Sequence, residues 1–108
     1  MKLQNPRLLR SQALYSGKWQ SSASGECDPV KNPADGSLLG TVPRLLPREV
    51  TAAIAHANEA MALWQRVPAP ERSRKLRRWF ELMTANSDDL AAILTAEQGK
   101  PLAEAKAE

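Results

Sequence analysis

A chain of 108 residues, 43% hydrophobic and 25% charged, has room for one core at most and is too apolar for a disordered tail. Five aromatic residues, three of them Trp, are few for a sandwich or barrel, while abundant Ala, Leu, Glu and Arg favour helix. The formal charge of +3 arises in the first half, where residues 1–54 carry seven Lys/Arg and four Asp/Glu; residues 55–108 carry eight of each, so no basic face for nucleic acid is expected.

Residues 1–12 read as a loose polar arm, with Leu8, Leu9 and Leu14 available to dock it. The run Ala13–Trp19, broken by Gly17, precedes the turn-rich stretch Gln20–Gly25 and then Cys27–Lys31, a pattern that predicts a β-hairpin. Asn32-Pro33-Ala34-Asp35-Gly36 is a strong turn: Pro fixes φ, Asp accepts backbone hydrogen bonds and Gly tolerates positive φ. A short strand over Leu38–Val42 should follow and stop at Pro43.

After Pro47 the period changes. Val50, Ile54, Ala57, Met61 and Trp64 recur at helical intervals, predicting one amphipathic helix of roughly four turns. Pro68 and Pro70 interrupt it, and Pro70 suits the first position of a second helix with the stripe Leu76, Trp79, Phe80 and Met83, placing Trp79 in the core. Ser87 is a candidate N-cap for a third helix, with Asp88 and Asp89 at its positive end; Gly99 ends it, and Pro101 starts a fourth helix that the chain leaves at Glu108. The predicted class is therefore α+β: an N-terminal arm and hairpin over 1–46, then a helical segment over 47–108 with three to four helices. Such a short chain buries two-thirds or less of its unfolded surface, so marginal independent stability is expected. Good helix sequence running to the last residue reads as part of something larger.

Few residues carry chemistry. Glu97, seven residues after Leu90, lies near the centre of the Leu90–Ile93–Leu94 stripe, so its carboxylate is expected to be buried and to accept backbone amides from a neighbouring segment, or to bind a cation. The run Glu71–Arg78 reads as a solvated face. His56 sits off the apolar stripe with no second ligand at metal spacing, and Cys27 reads as a half-buried filler in a strand rather than a nucleophile. No G-x-G-x-x-G, P-loop or G-x-S-x-G string occurs. One cysteine forms no internal disulfide, which fits a reduced compartment, and no apolar run has signal-peptide or membrane-span character; a cytoplasmic protein is expected, with no membrane partner.

The motif order carries a resemblance. Ser16-Gly17-Lys18-Trp19, then Val30–Gly36, then Leu39-Gly40-Thr41-Val42-Pro43, an Ala-rich helix ending at Trp64, Glu71-Arg72, and finally Glu97-Gln98-Gly99-Lys100-Pro101-Leu102-Ala103-Glu104-Ala105-Lys106 resemble the opening of aldehyde dehydrogenases, in the same order over essentially the whole chain. Leu76–Met83 inclines the resemblance toward bacterial succinate-semialdehyde dehydrogenases. Departures are Tyr15-Ser16, Cys27, the polar stretch Gln20–Asp28, and Ala107 where a Gly is common.

The resemblance implies a parent enzyme of α/β fold with coenzyme-binding, catalytic and oligomerisation parts, of which this chain supplies the start of the coenzyme-binding domain. The parent would oxidise succinate semialdehyde through a thiohemiacetal, hydride transfer to NAD or NADP, and thioester hydrolysis. Its nucleophilic cysteine, general-base glutamate and nucleotide-contacting loop all lie beyond position 108, so this chain is expected to hold no catalytic and no coenzyme-binding residue and to be inactive alone. The resemblance also implies a structural monovalent cation held by the Val30 carbonyl and Glu97. Expected partners are the remainder of such an enzyme, or a second copy met through exposed apolar surface, with no nucleic acid. The rival readings are a small helical interaction module that associates with an intact dehydrogenase subunit through exposed Trp64, Phe80 and Leu102, and a basic nucleic-acid binder.

Overall fold

The computed structural model describes residues 1–108 and shows four short strands followed by four helices, an α+β arrangement. A one-turn 3-10 segment, Pro6–Leu8, precedes β1 (Ala13–Tyr15) and β2 (Lys18–Gln20). Then come β3 (Cys27–Lys31), β4 (Leu38–Pro43), α1 (Pro47–Trp64), α2 (Ala69–Ala85), α3 (Ser87–Gln98) and α4 (Leu102–Ala105).

Two separate antiparallel hairpins replace the single one expected from sequence. β1 pairs with β2, Tyr15 opposite Lys18, and β3 pairs with β4, Cys27 opposite Pro43. The first hairpin closes on Ser16 and Gly17, with φ of 51° and 72°. Positive φ at both central residues is the tight-turn geometry whose twist suits a two-residue hairpin. Gly17 thus reverses the chain within a run that reads as one strand, and Gln20–Gly25 connects the hairpins instead of closing one. The second hairpin turns through the Asn32–Gly36 string: Ser37 Oγ and N donate to Asp35 Oδ1 at 2.7 and 2.9 Å, and Ala34 N donates to Asn32 Oδ1 at 3.0 Å. Those bonds from Ser37, side chain first, hold the Asp35 carboxyl below the usual carboxylate range.

The helices start where proline and acidic residues permit. Glu49 N donates to the Leu46 carbonyl at 2.9 Å while Leu46 N donates back to Glu49 Oε2 at 2.7 Å, so Glu49 tends the amino end of α1. Pro70 lies in the first turn of α2. Asn86, rather than Ser87, occupies the N-cap position of α3 without a side-chain cap bond, because its Nδ2 donates backwards to the Leu82 carbonyl at 2.8 Å. Gly99, at φ 75°, ends α3 with its N–H on the Thr95 carbonyl at 2.8 Å.

Packing is thin. The only buried apolar residues are Ala91 and Ala105, and no large side chain is fully buried. The predicted stripes exist as helical faces but remain uncovered: Ile54 is 65% exposed and Phe80 58%. Trp79, expected in the core, is 62% exposed, because helical spacing places it on the apolar face but no element of this chain lies against that face. The chain exposes 8238 Å², against roughly 6,000 Å² for a compact monomer of its mass. Its radius of gyration, 16.7 Å, also exceeds the value of about 13 Å for a compact domain of this length.

Candidate functional site

The two motif turns of the resemblance meet in space. A Cβ built on Gly99 would lie 3.1 Å from Pro33 Cγ, so the Gly99-Lys100-Pro101 turn rests directly on the Asn32-Pro33 turn. This contact brings the carboxyl end of α3 beside β3 and β4. Beside it lies a cleft of about 190 Å³, walled by Leu9, Arg10 and Ser11 from the arm, by β3 and β4 residues including Val30 and Thr41, and by Glu97. Val30 and Glu97 therefore share one cleft. The ladder between β3 and β4 shifts register between Val30 and Lys31, an irregularity that interrupts backbone pairing at the cleft wall.

Glu97 itself is exposed, contrary to the burial expected from its place on the α3 stripe, because the arm and the β3–β4 hairpin meet it across a cleft without covering it. The role foreseen for it, accepting amides of a neighbouring segment, falls to Asp89. This carboxylate is only 6% exposed. Gln4 N donates to Oδ1 at 2.9 Å and Asn5 N to Oδ2 at 2.7 Å. The arm expected to be loose is thereby anchored at its fourth and fifth residues. From sequence, Asp88 and Asp89 read alike as charges at a helix amino end; only the path of the arm separates them, with Asp88 exposed and bonded to Lys106 Nζ at 2.7 Å.

A second carboxylate escaped the sequence reading. Besides Leu46 N, Glu49 accepts Ala23 N at 2.8 Å and Ser22 Oγ at 2.9 Å, tying the connection between the hairpins to the start of α1. The Leu46 and Ala23 amides hold its carboxyl below the usual range. Asp28 is also held low, by the hydrogen bond from the Arg44 guanidinium.

The remaining candidates stand apart. Cys27 is exposed on β3, not half-buried, since its strand lies at the open edge of a two-stranded sheet; its only polar neighbour is the Gly25 carbonyl, 3.9 Å away. His56 is exposed on α1. Neither lines the Glu97 cleft. Glu71, Arg74, Lys75 and Arg78 line an open groove on α2, and Arg78 pairs with Glu81 at 3.7 Å. No three His, Cys, Asp or Glu side chains converge at metal-binding distance, and no helix is long and apolar enough to cross a membrane. The polar side chains lining the cleft are the Glu97 carboxylate, the Ser11 and Thr41 hydroxyls and Arg10, whose guanidinium lies over the Trp19 ring at 4.8 Å.

Comparison with known proteins places this geometry. Over all 108 residues the chain is 50% identical to the glutarate-semialdehyde dehydrogenase of Pseudomonas putida, and 50% identical to the NADP(+) succinate-semialdehyde dehydrogenase of Escherichia coli; it spans 22% of the length of each. It superposes on the crystal structure of an aldehyde dehydrogenase from Brucella melitensis biovar abortus with a TM-score of 0.95 at 48% identity, covering 99% of this chain and 22% of that one. A succinate-semialdehyde dehydrogenase from Burkholderia pseudomallei gives 0.94 at 51%, with the same coverages. The chain corresponds to the N-terminal part of these enzymes. The model of the aldehyde dehydrogenase family matches residues 19–108, and the chain belongs to that family.

Proposed function

We propose that the chain forms the start of the coenzyme-binding domain of an NAD(P)-dependent enzyme that oxidises a short dicarboxylic semialdehyde, succinate semialdehyde first, and that the 108 residues are inactive alone. The observation that carries this reading is half identity over the whole chain to semialdehyde dehydrogenases of about five times its length. Aldehyde oxidation of this kind needs an activated thiolate, a base for thioester hydrolysis and a bound nicotinamide coenzyme, which accepts the hydride. The one thiol here, Cys27, lies in the open with no base against it. These residues supply scaffold: the two hairpins, the arm and the amino-terminal helices. A cytoplasmic location in a bacterium accords with this reading.

Purified 108-residue chain given succinate semialdehyde with NAD or NADP should form no reduced coenzyme. A polypeptide extended to the relatives' full length should turn over and should prefer succinate or glutarate semialdehyde to a neutral aldehyde. Turnover by the short chain would refute the inactive reading, and indifference of the long one to the second carboxylate would refute the substrate class.

The same reading assigns the uncovered helices a partner. The chain's 8238 Å² exceeds the compact-monomer value by about 2,000 Å², while each side of an ordinary stable interface buries only about 800 Å². The apolar faces of α1 and α2, with Trp64, Leu76 and Phe80 around one cavity of about 510 Å³, are read as the seat of the rest of the enzyme. Lacking that cover, the short chain is expected to self-associate. Phe80→Glu should weaken association about tenfold or more, consistent with loss of a central aromatic anchor, as read by sedimentation across a concentration series. A wild-type chain that stays monomeric throughout would contradict this assignment.

Val30 and Glu97 are further proposed as ligands of a structural monovalent cation, through a strand carbonyl and the carboxylate. Support comes from their shared cleft and the interrupted pairing at Val30. Such an ion would neutralise the carboxylate and tie α3 to β3.

A further inference from the structure

We infer that Asp89 is a latch that positions one wall of the Glu97 cleft through the N-terminal arm. Asp89 is the most buried charged or polar residue of the chain, and its two oxygens are committed separately to consecutive amides, Gln4 N at 2.9 Å and Asn5 N at 2.7 Å. A buried carboxylate keeps its charge only where donors replace water, so these bonds hold the arm and the arm shields Asp89. The chain beyond Asn5 has little slack. Asn5 Oδ1 accepts Arg7 N at 3.3 Å, the Asn5 carbonyl accepts Leu8 N at 3.1 Å, and Pro6 fixes φ at the head of the single 3-10 turn. The residues that leave this turn, Leu9, Arg10 and Ser11, are those that line the cleft opposite Val30 and Glu97. Asp89 and Glu97 both belong to α3, so the helix holds the arm at its first turn and meets it again, across the cleft, at its last.

Residues 9–11 have no backbone ladder of their own; their place is set by the 3-10 turn before them, by β1 after them and by the Arg10 guanidinium, which lies over the Trp19 ring at 4.8 Å. Releasing Gln4 and Asn5 therefore frees the upstream end and opens the cleft on that side. The effect of the latch on cation binding rests on the reading of Val30 and Glu97 given above, whereas the latch itself does not.

The test is backbone relaxation and amide exchange by NMR on the 108-residue chain. In Asp89→Ala, Gln4 and Asn5 should lose protection and the order parameters of Leu9–Ser11 should fall from roughly 0.85 to below about 0.6, while β3, β4 and the middle of α3 keep theirs. Asp89→Asn, which keeps one acceptor oxygen and folds more readily, should give a partial loss at the same residues. Pro6→Gly should leave Gln4 and Asn5 protected but loosen residues 9–11. Unchanged order at 9–11 once Gln4 and Asn5 have lost protection, in either Asp89 variant, would overturn the latch. Rubidium chloride titrated against the wild-type chain tests the other reading separately: absence of any shift at Thr41 or Glu97 removes the cation and leaves the latch standing.

Discussion

Gly99→Ala is expected to lower the unfolding free energy of the chain by about 2 kcal/mol, because two penalties fall on one atom. The residue ends α3 at φ 75°, where an L side chain places Cβ against the carbonyl oxygen that follows. That alone costs about 1–2 kcal/mol. The new Cβ would also stand 3.1 Å from Pro33 Cγ, tighter than ordinary contact, so the Asn32–Gly36 turn must shift or α3 must end differently. Either response separates the two motif turns and widens the cleft beside them. Gly99→Asn isolates the second penalty, since Asn tolerates the left-handed region but still brings a Cβ. Thermal unfolding followed by circular dichroism should rank wild type above Gly99→Asn above Gly99→Ala. Pairing either variant with Pro33→Ala should restore part of the loss, as a double-mutant cycle between touching residues does. Equal stability of wild type and Gly99→Ala would mean that the turn does not rest on Pro33.

Glu49→Gln is expected to detach the connection between the hairpins from α1 and to remove an acid-labile element. The carboxylate accepts Leu46 N, Ala23 N and Ser22 Oγ together. An amide offers one acceptor oxygen and turns an NH2 toward a donor at the other position, so at least one of the three loses its partner. With the wild-type carboxyl held below its ordinary value of 4.5 by the Leu46 and Ala23 amides, the folded state binds its proton less readily than the unfolded chain. The stabilisation is therefore present in full above the unfolded value and is lost as pH falls through the depressed folded value. Asp28, held low by Arg44, and Asp35, held low by Ser37, carry the same sign, so each of the three contacts weakens as pH falls through its own depressed folded value. The Leu46 and Ala23 amide resonances should titrate together with a midpoint below 4.5, and Glu49→Gln should abolish that step while leaving those near Arg44 and Ser37. Separate midpoints for the two amides would break the shared-carboxylate account.

The parts of the fold that were legible in sequence depend on neighbours along the chain. Proline at 47 and 70 restricts φ where helices begin, Gly99 permits the left-handed residue where one ends, and the Asn32–Gly36 string carries its own side-chain bonds. Strand pairing was less legible. Tyr15 opposite Lys18 depends on Ser16, a residue without special licence for positive φ, and nothing in composition distinguishes that turn from the polar run that follows it.

The site divides in the same way. Motif order was enough to identify the family, and it was that resemblance that put Val30 and Glu97 forward together. Which carboxylate is buried was not readable, because periodicity describes a helix face and not what covers it. An arm eighty-four residues away along the chain from Asp89 decides that Asp89 is enclosed, while Glu97 stays open. Trp79 makes the same point from the other side: its spacing marks an apolar face, yet within this chain that face meets solvent. Local geometry and family membership thus follow from the sequence by itself, since backbone restriction and motif order act over a few residues. Burial and charge pairing were decided only by tertiary structure, because each needs a surface brought from elsewhere in the chain.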